Sequence, residues 1–330
     1  MALFRPEDIH TMCANEGRLP VIQGFEFMDF MRSTSMRDRY LSLGLLSNGE
    51  DWLQARSKVQ QDMMQPRTAV FFLDDIEDIA EELVDKINEA VDDDDTLDPH
   101  SLLQQFSLEA VGSVFLGARL GALGGGGDGE RIVHLAERML PLMQKLMLLP
   151  RSIVPYLPIY STLVQYQTEL FDITKKHVDA SMATAKDDSL LARMTRRCGQ
   201  QSSIPLVMAV DSLQVGIDTT SSTAVFLLYH LATNPEKQEK LFREIQEELG
   251  EEARVTETSL TRLRYLKACL TESQRMLPAI FGTTRQTTVS YVLTTTNYVT
   301  VTAGRRCCGG LLDSQWCPPL QDGSELLERP

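Results

Sequence analysis

The stretch VGIDTTSST at residues 215–223 decides the fold, because it brings small and polar groups into an otherwise apolar helix. It lies in the middle of residues 204–233, a mostly apolar run whose helical character predicts burial on most sides. Gly216 costs about 1 kcal/mol relative to alanine inside a helix. Asp218 and Thr219 add a carboxyl and a hydroxyl group. Two interpretations follow: a local opening beside a carboxyl group, or a helix crossing at Gly216 with satisfied threonine side chains.

The segments on both sides of this run also have helical patterns. Residues 71–91 carry apolar side chains on one stripe with carboxylates opposite, and residues 99–120 form a second helix. Further helices are predicted at about 130–148, 160–185, 235–249 and 262–276. From residue 283 onward the sequence becomes rich in Thr, Val and Tyr, which predicts one or two strands. The sequence therefore predicts a mainly α fold with a small β component.

Glycine, asparagine and proline residues mark several helix ends. Asn234 is expected to cap the following helix, and Pro235 suits its first position. Gly250 is typical of the residue just after the last turn. The stretch GALGGGGDG at 121–129 predicts a flexible connector.

Composition limits the classes of function that are open to the chain. Its 330 residues are 43% hydrophobic and 24% charged, which is typical of globular proteins. The net charge of −14 disfavours non-specific nucleic-acid binding, because a basic stripe is its usual footprint. No apolar run approaches the ~20 residues of a membrane span. The start, MALFRPEDIH, is typical of neither a signal peptide nor a transit peptide, so we expect a cytosolic protein or a targeting segment absent from this chain.

Two residue pairs share helix faces elsewhere in the chain. Glu272 and Arg275, at i,i+3 in LTESQRMLP, can form an ion pair. Trp52 and Arg56, at i,i+4, point an indole N–H and a guanidinium in the same direction, which suits the carboxylates of a ligand. A surface ion pair and a half-buried tryptophan beside an arginine stem explain the same spacings without a ligand.

Taken in order, these stretches resemble the cytochrome P-450 family of heme-thiolate monooxygenases. Trp52 to Arg56 matches the family's W-x-x-x-R helix, and Glu272 to Arg275 matches its E-x-x-R helix. VGIDTT is similar to A/G-G-x-D/E-T-T of the oxygen-binding helix, with Val215 at the position of the usual small residue. FRPEDI, QQDMMQPRTA and FSLEAVGSVFLG resemble the mitochondrial branch. The resemblance covers roughly residues 3–300 and implies an incomplete cytochrome P-450-like fold, because the family's N-terminal helix, first strands and targeting peptide would precede residue 1.

The resemblance implies roles for residues around the heme. Asp218 and Thr219 would organise proton delivery to oxygen at the heme, and Gly216 would make room for it. Glu272 and Arg275 would lock the core behind the heme. The heme propionates would contact three residues: Trp52, Arg56 and Arg285.

The same resemblance implies the cofactor and the partners. The cofactor would be heme b, with electrons from NADPH through an acidic ferredoxin. The substrate would be lipophilic, such as a sterol-like compound or a xenobiotic, bound by segments near 20–45, 130–165 and 204–215. The location would be the mitochondrial inner membrane, although a cytoplasmic location stays open. The ferredoxin would dock on a basic patch formed by Arg262, Arg264 and Lys267.

The stretch AGRRCCGG at 303–310 leaves two interpretations open. In the first, it is the family's ligand loop F-x-x-G-x-R-x-C-x-G, and Cys308 is the iron ligand. Three features oppose this interpretation. Val301 replaces the phenylalanine, only 36 residues separate Glu272 from Cys308, and Pro318-Pro319 interrupts the long helix that follows in the family. Four fixed positions support it: Gly304, Arg306, Cys308 and Gly310.

In the second interpretation, a partial cytochrome P-450-like domain covers residues 1–304. Residues 305–330 then form a divergent, disordered tail that belongs to no fold. Without a thiolate ligand, the iron lacks the electron push that favours O–O cleavage. The chain would then be a catalytically inactive, truncated family member that at most binds ferredoxin or lipid.

Overall fold

The computed structural model describes residues 2–22, 26–41, 44, 46–63, 68, 70–91, 97–147, 149–150, 152–184, 189–250, 254–280, 282–286, 290–293, 299–301 and 306–310. Helices dominate this part of the chain, and short strands gather near its two ends, which confirms a mainly α fold with a small β component. Within these ranges, no helix has the length and apolar character needed to cross a bilayer. The helices are α1 (Pro6–Ala14), α2 (Glu26–Ser33), α3 (Gly49–Met63), α4 (Leu73–Ala90), α5 (His100–Leu116), α6 (Gly127–Met147), α7 (Pro158–Thr184), α8 (Leu190–Cys198), α9 (Ile204–Ala232), α10 (Pro235–Leu249), α11 (Glu257–Arg262) and α12 (Arg264–Met276).

Helix α9 is the central element of the core. It packs against α5, α7, α8 and α12. Its N-terminal half is buried on most sides, as the apolar run predicts, and Met208, Leu213 and Ile217 are fully inaccessible to solvent. Burial ends at Ser221, and Tyr229 in the last turns is exposed. The prediction of a buried helix is therefore confirmed for its first two thirds.

The glycine-rich connector before α6 is anchored rather than flexible. Glu109 of α5 is fully buried, and its carboxylate accepts hydrogen bonds from Arg119 Nε (2.8 Å), from the backbone N–H of Leu120 (2.9 Å) and from that of Ala122. A buried carboxylate requires such donors, because its desolvation is otherwise too costly. Ala122 and Leu123 are buried in turn. The prediction of a flexible connector is therefore wrong for Ala122 and Leu123, and it stays a prediction for residues 124–126.

Helix α10 begins and ends where the sequence predicts, but Asn234 does not cap it. The helix begins at Pro235, and Gly250 follows its last turn with φ +65°. The side chain of Asn234 makes no capping bond to α10. It donates instead to the carbonyl oxygen of His230 in α9 at 2.8 Å. The predicted capping role is wrong, because this amide satisfies the end of the preceding helix.

Two small sheets complete the described fold. One has the order β1 (Ala2–Leu3), β5 (Arg306–Gly310), β2 (Gly282–Gln286), with β1 parallel and β2 antiparallel to β5. The other pairs β3 (Tyr291–Leu293) with β4 (Val299–Val301).

The central position of β5 differs from the prediction of a disordered tail, because its backbone pairs with strands on both sides. The rest of that tail, residue 305 and residues 311–330, lies outside the described residues. The domain boundary at residue 304 stays a prediction.

Gly129 in the first turn of α6 provides a test of this packing. A Cβ atom there would lie 2.6 Å from both the backbone N of Ala122 and the carbonyl O of Leu120. We expect Gly129→Ala to lower the free energy of unfolding by about 1–3 kcal/mol, because backbone on two sides must shift. Urea unfolding measures this change.

Gly124→Ala is the matched control, since a Cβ there would meet only Gly121 O at 3.6 Å, an ordinary contact. We expect its unfolding midpoint to stay at or above that of the wild type. Equal destabilisation by the two alanines would contradict an anchored connector.

Candidate functional site

An apolar cavity of about 480 Å³ lies between α5 and α9. Apolar side chains form most of its wall, and such cavities are typical sites for small lipophilic ligands. Thr220 and Gly216 bring the VGIDTT stretch to the same wall. Its apolar lining includes Val111, Val114, Phe115, Met208 and Val215.

Gly216 is also a point of close contact between the two helices. A Cβ atom at this position would lie 2.6 Å from Val111 Cγ2 of α5. The hydroxyl of Thr219 donates to the carbonyl oxygen of Val215 at 2.8 Å, and the hydroxyl of Thr223 donates to that of Thr219 at 2.8 Å. The helices therefore cross at Gly216 with the hydroxyls of Thr219 and Thr223 satisfied, as the second interpretation of VGIDTTSST expects. A cavity opens beside the crossing, but its described lining includes Thr220 and not Asp218, so an opening beside this carboxyl group stays a prediction.

Asp218 is partly buried in the same interface. Its Oδ1 accepts a hydrogen bond from Gln104 Nε2 of α5 at 3.2 Å. Desolvation raises the pKa of Asp218, and the Gln104 hydrogen bond and the nearby His100 oppose the rise. Gln104 was missed from the sequence, although its spacing of four and seven residues to Leu108 and Val111 puts this polar residue on the apolar stripe of α5.

A buried ion pair forms one end of the cavity. Asp211 of α9 lines the cavity, and its Oδ1 lies 2.5 Å from Nη2 of the fully buried Arg32 of α2. The Arg32 guanidinium also lies 4.5 Å from the ring centroid of Tyr40. Burial of the Tyr40 side chain raises its pKa to about 12. A Cβ atom at Gly44 would lie 2.6 Å from Asp211 Oδ2. No sequence signal links Arg32 to Asp211, because 179 residues separate them.

The three predicted propionate ligands do not form one cluster among the described residues. Trp52 and Arg56 share a face of α3, with the Arg56 guanidinium 6.0 Å from the indole centroid. Arg285 of β2 instead forms an ion pair with Glu16. It also donates to Thr283 Oγ1 at 2.5 Å and to the carbonyl oxygen of its neighbour Thr284 at 2.9 Å.

Glu272 and Arg275 form a bidentate ion pair on α12. The Arg275 Nε and Nη2 atoms each lie 2.7 Å from a carboxylate oxygen of Glu272. The hydrogen bond from Arg275 lowers the pKa of Glu272. The pairing follows the i,i+3 spacing, and the pair lies on the helix that packs against α9. Its predicted role behind the heme stays a prediction.

The predicted basic patch borders an acidic helix. Arg262 and Arg264 line a groove whose other wall is α10 with its glutamates. Glu248 lies 3.7 Å from Arg262, and Glu244 accepts hydrogen bonds from the first backbone N–H groups of α12. Docking of an acidic partner on Arg262, Arg264 and Lys267 stays a prediction, and the neighbouring carboxylates reduce its electrostatic support.

The fold and the cavity define a helical protein that can hold an apolar ligand, and comparison with known proteins gives the family. The sequence profile of cytochrome P450 matches residues 25–307. The chain therefore belongs to the cytochrome P450 family.

Three named relatives from insects show the extent of the similarity. Cytochrome P450 CYP12A2 of Musca domestica is 30% identical over 85% of this chain and 56% of its own length. Cytochrome P450 12b1, mitochondrial, of Drosophila acanthoptera is 30% identical over 88% of this chain and 57% of its own length. Probable cytochrome P450 12a5, mitochondrial, of Drosophila melanogaster is 28% identical over 87% and 57%. The chain thus spans little more than half the length of these relatives.

Cytochromes P450 are heme proteins, and the described residues fit a heme on one side only. The wall formed by Val215, Gly216 and Thr220 borders an apolar cavity, which suits an apolar macrocycle. The remaining residues do not complete the site. Arg285 is held by Glu16 instead of being presented to a ligand carboxylate. Cys308 lies in β5, with its backbone paired to β1 and to β2, whereas the thiolate ligand of the family comes from a loop. Its role as ligand stays a prediction.

The buried ion pair at the cavity gives a prediction on stability. We expect Arg32→Met to lower the free energy of unfolding by about 3–5 kcal/mol, because Asp211 is left buried without its counter-charge. Arg32→Met with Asp211→Leu should recover most of this loss, since both charges are then absent. Urea unfolding of the two variants measures both changes.

Arg39→Met is the matched control for that prediction. Arg39 makes a bidentate pair with Asp172, with both N–O distances at 3.0 Å, but this pair is exposed. Its loss should therefore cost no more than about 1 kcal/mol. If Arg32→Met lowered the free energy of unfolding by as little as Arg39→Met does, the expected stabilisation by the buried pair would be contradicted.

Asp218 gives a prediction on pH dependence. Because its pKa is raised in the folded chain, the folded state keeps this proton to a higher pH than the unfolded state. Its contribution to the free energy of unfolding therefore falls as the pH rises from about 3.9 through the folded pKa. We expect Asp218→Asn to be more stable than the wild type at pH 7 and equal to it in acid. A difference that is the same at both pH values would contradict the raised pKa.

Proposed function

We propose that this chain acts as a heme-dependent monooxygenase of the mitochondrial cytochrome P450 type, which inserts one oxygen atom from O2 into a lipophilic substrate. The observation that carries the proposal is the apolar cavity beside the close crossing at Gly216, in the stretch that matches the family's oxygen-binding helix. Membership in the family supports the same activity. Because the chain spans only part of its relatives' length, the activity of the whole protein stays a proposal.

The residues of this chain would supply the pocket and a proton. Heme, when bound, supplies the oxygen chemistry, and the protein supplies binding, orientation and electrostatics. The apolar walls of α5 and α9 would exclude water from the substrate. Desolvation raises the pKa of Asp218, so its carboxyl group would keep a proton to a higher pH than a solvated aspartate does. The Thr219 hydroxyl, bonded to the Val215 carbonyl oxygen, lies one residue further along the helix.

The finer properties follow from the resemblance. The substrate would be a sterol-like compound or a xenobiotic, since the cavity favours apolar ligands without selecting one. Electrons would come from NADPH through a ferredoxin bound near Arg262, Arg264 and Lys267. Two of the relatives carry "mitochondrial" in their names, which supports a mitochondrial location for this chain.

A second candidate function is favoured by the two residues that do not fit a heme site. Arg285 is paired with Glu16, and Cys308 lies in the central strand of a sheet. In this alternative, the chain is a family member without a functional heme-thiolate loop, and it binds a lipophilic ligand or a ferredoxin without catalysis. The apolar cavity would serve either function.

A carbon monoxide difference spectrum separates the two candidates. The purified chain, loaded with heme and reduced with dithionite, is compared with Cys308→Ser. If Cys308 is the thiolate ligand, we expect a red-shifted thiolate–CO Soret band that disappears in Cys308→Ser, because a serine oxygen lacks the electron donation of the thiolate. Cys307→Ser is the matched control, and its band should remain.

The absence of a thiolate–CO band would contradict the monooxygenase function for this chain, whereas a band that survives Cys308→Ser would contradict the assignment of Cys308 as the ligand. Ligand binding then tests the second candidate. Quenching of tryptophan fluorescence on titration with a sterol should persist in Cys308→Ser if the cavity binds lipophilic compounds. If no sterol or ferredoxin binds either, both candidates are wrong.

A further inference from the structure

We propose that Gln104 is a positioning residue for Asp218: its amide can donate to the carboxylate or accept from the carboxylic acid, and so holds the side chain in one orientation in both protonation states. The inference rests on the proposed function, in which the Asp218 carboxyl group takes part in proton delivery from the interface of α5 and α9. No sequence motif assigns a role to Gln104, which lies on α5, a helix apart from VGIDTT. Its connection to the site comes from the three-dimensional contact alone.

The contact is short and buried on the glutamine side. Gln104 is 1% exposed, and its Nε2 lies 3.2 Å from Asp218 Oδ1. A glutamine is rarely buried on an apolar helix face unless its amide is used. The neighbouring contact between Val111 and Gly216 fixes the spacing of the two helices. Gln104 therefore meets Asp218 across a rigid interface.

The other amide atom gives the second observation. Gln104 Oε1 is buried and has no hydrogen-bond partner within the described part of the chain. A buried acceptor without a partner is unfavourable, so its presence needs an explanation. A half-turn of the amide exchanges Oε1 and Nε2, which have nearly the same shape and opposite hydrogen-bonding roles. The exchanged oxygen would then face Asp218 and could accept the O–H of a protonated carboxyl group.

The amide therefore suits a group that changes charge. Desolvation favours the protonated form of Asp218, whereas Gln104 Nε2 and the nearby His100 favour the charged form. His100 lies on the same helix as Gln104, and it is the titratable group that acts on Asp218 in this interface. An apolar residue at position 104 would leave desolvation opposed only by His100. The carboxyl group would then lose its orientation as well as its partner.

Nuclear magnetic resonance on the labelled full chain tests the proposal without heme. The pH midpoint of the Asp218 carboxyl carbon, assigned with Asp218→Asn, is compared with that of the Gln104 side-chain NH2 group. We expect both signals to change with one midpoint, because the amide reverses its role when Asp218 loses its proton. In Gln104→Met, of similar volume, the Asp218 midpoint should rise, because the charge-assisted hydrogen bond to the carboxylate that is lost is stronger than the neutral one to the carboxylic acid.

Gln105→Met is the matched control. Gln105 is the next residue on α5 and is partly exposed, and its Nε2 lies 3.4 Å from the Ser101 hydroxyl. Its loss should leave the Asp218 midpoint unchanged. An unchanged midpoint in Gln104→Met would overturn the proposal. If that variant does not fold, the wild type provides the test. A Gln104 NH2 signal that does not change with pH at the Asp218 midpoint would then overturn the proposal.

The two proposals fail in different ways. If the thiolate–CO band is absent but Asp218 and Gln104 share one pH midpoint, the proposed monooxygenase function is contradicted and the proposed role of Gln104 is supported. A normal band with independent midpoints would keep the function and remove the role of Gln104.

Discussion

The close crossing of α5 and α9 is the constraint on which the rest of this structure depends. Gly216 permits it, because a side chain there would overlap Val111. The crossing brings two apolar faces together, and the cavity opens where they diverge toward Val114 and Met208. It also brings Gln104 to Asp218. A glycine that costs helix stability locally therefore determines the packing distance, the cavity and the environment of the carboxyl group.

Buried charges then fix the elements around this crossing. The Glu109 carboxylate orders the turn after α5 because it accepts two backbone N–H groups there. The Arg32–Asp211 pair ties α2 to α9 at the end of the cavity. Neither charge can be left alone in an apolar interior. Each one therefore favours a single arrangement of the segment that carries its partner, and Asp211 itself lines the cavity.

The sequence was sufficient for what depends on periodicity and local spacing. It predicted helices α4 to α7, α9, α10 and α12 and the pairing of Glu272 with Arg275, because each depends on contacts only a few residues apart. It did not predict α1, α2, α8 and α11. It was insufficient where partners are distant in the chain. The Arg32–Asp211 pair, the contact of Gln104 with Asp218 and the anchoring of the glycine-rich stretch arise from tertiary packing, which no local pattern encodes. The shared family motifs indicated which residues matter, but not which of them meet.

Residues 306–310 can form either strand β5 or a heme-ligand loop, but not both at once. As β5 it pairs with β1 on one side and with five residues of β2 on the other. If the same residues formed a ligand loop, the backbone groups of both neighbours would lose their partners, and unpaired strand edges are unfavourable. Arg285 is in register with Cys307 and bonded to Glu16, so a loop would also loosen the strand that holds this ion pair. The sheet and a thiolate loop therefore compete for the same backbone.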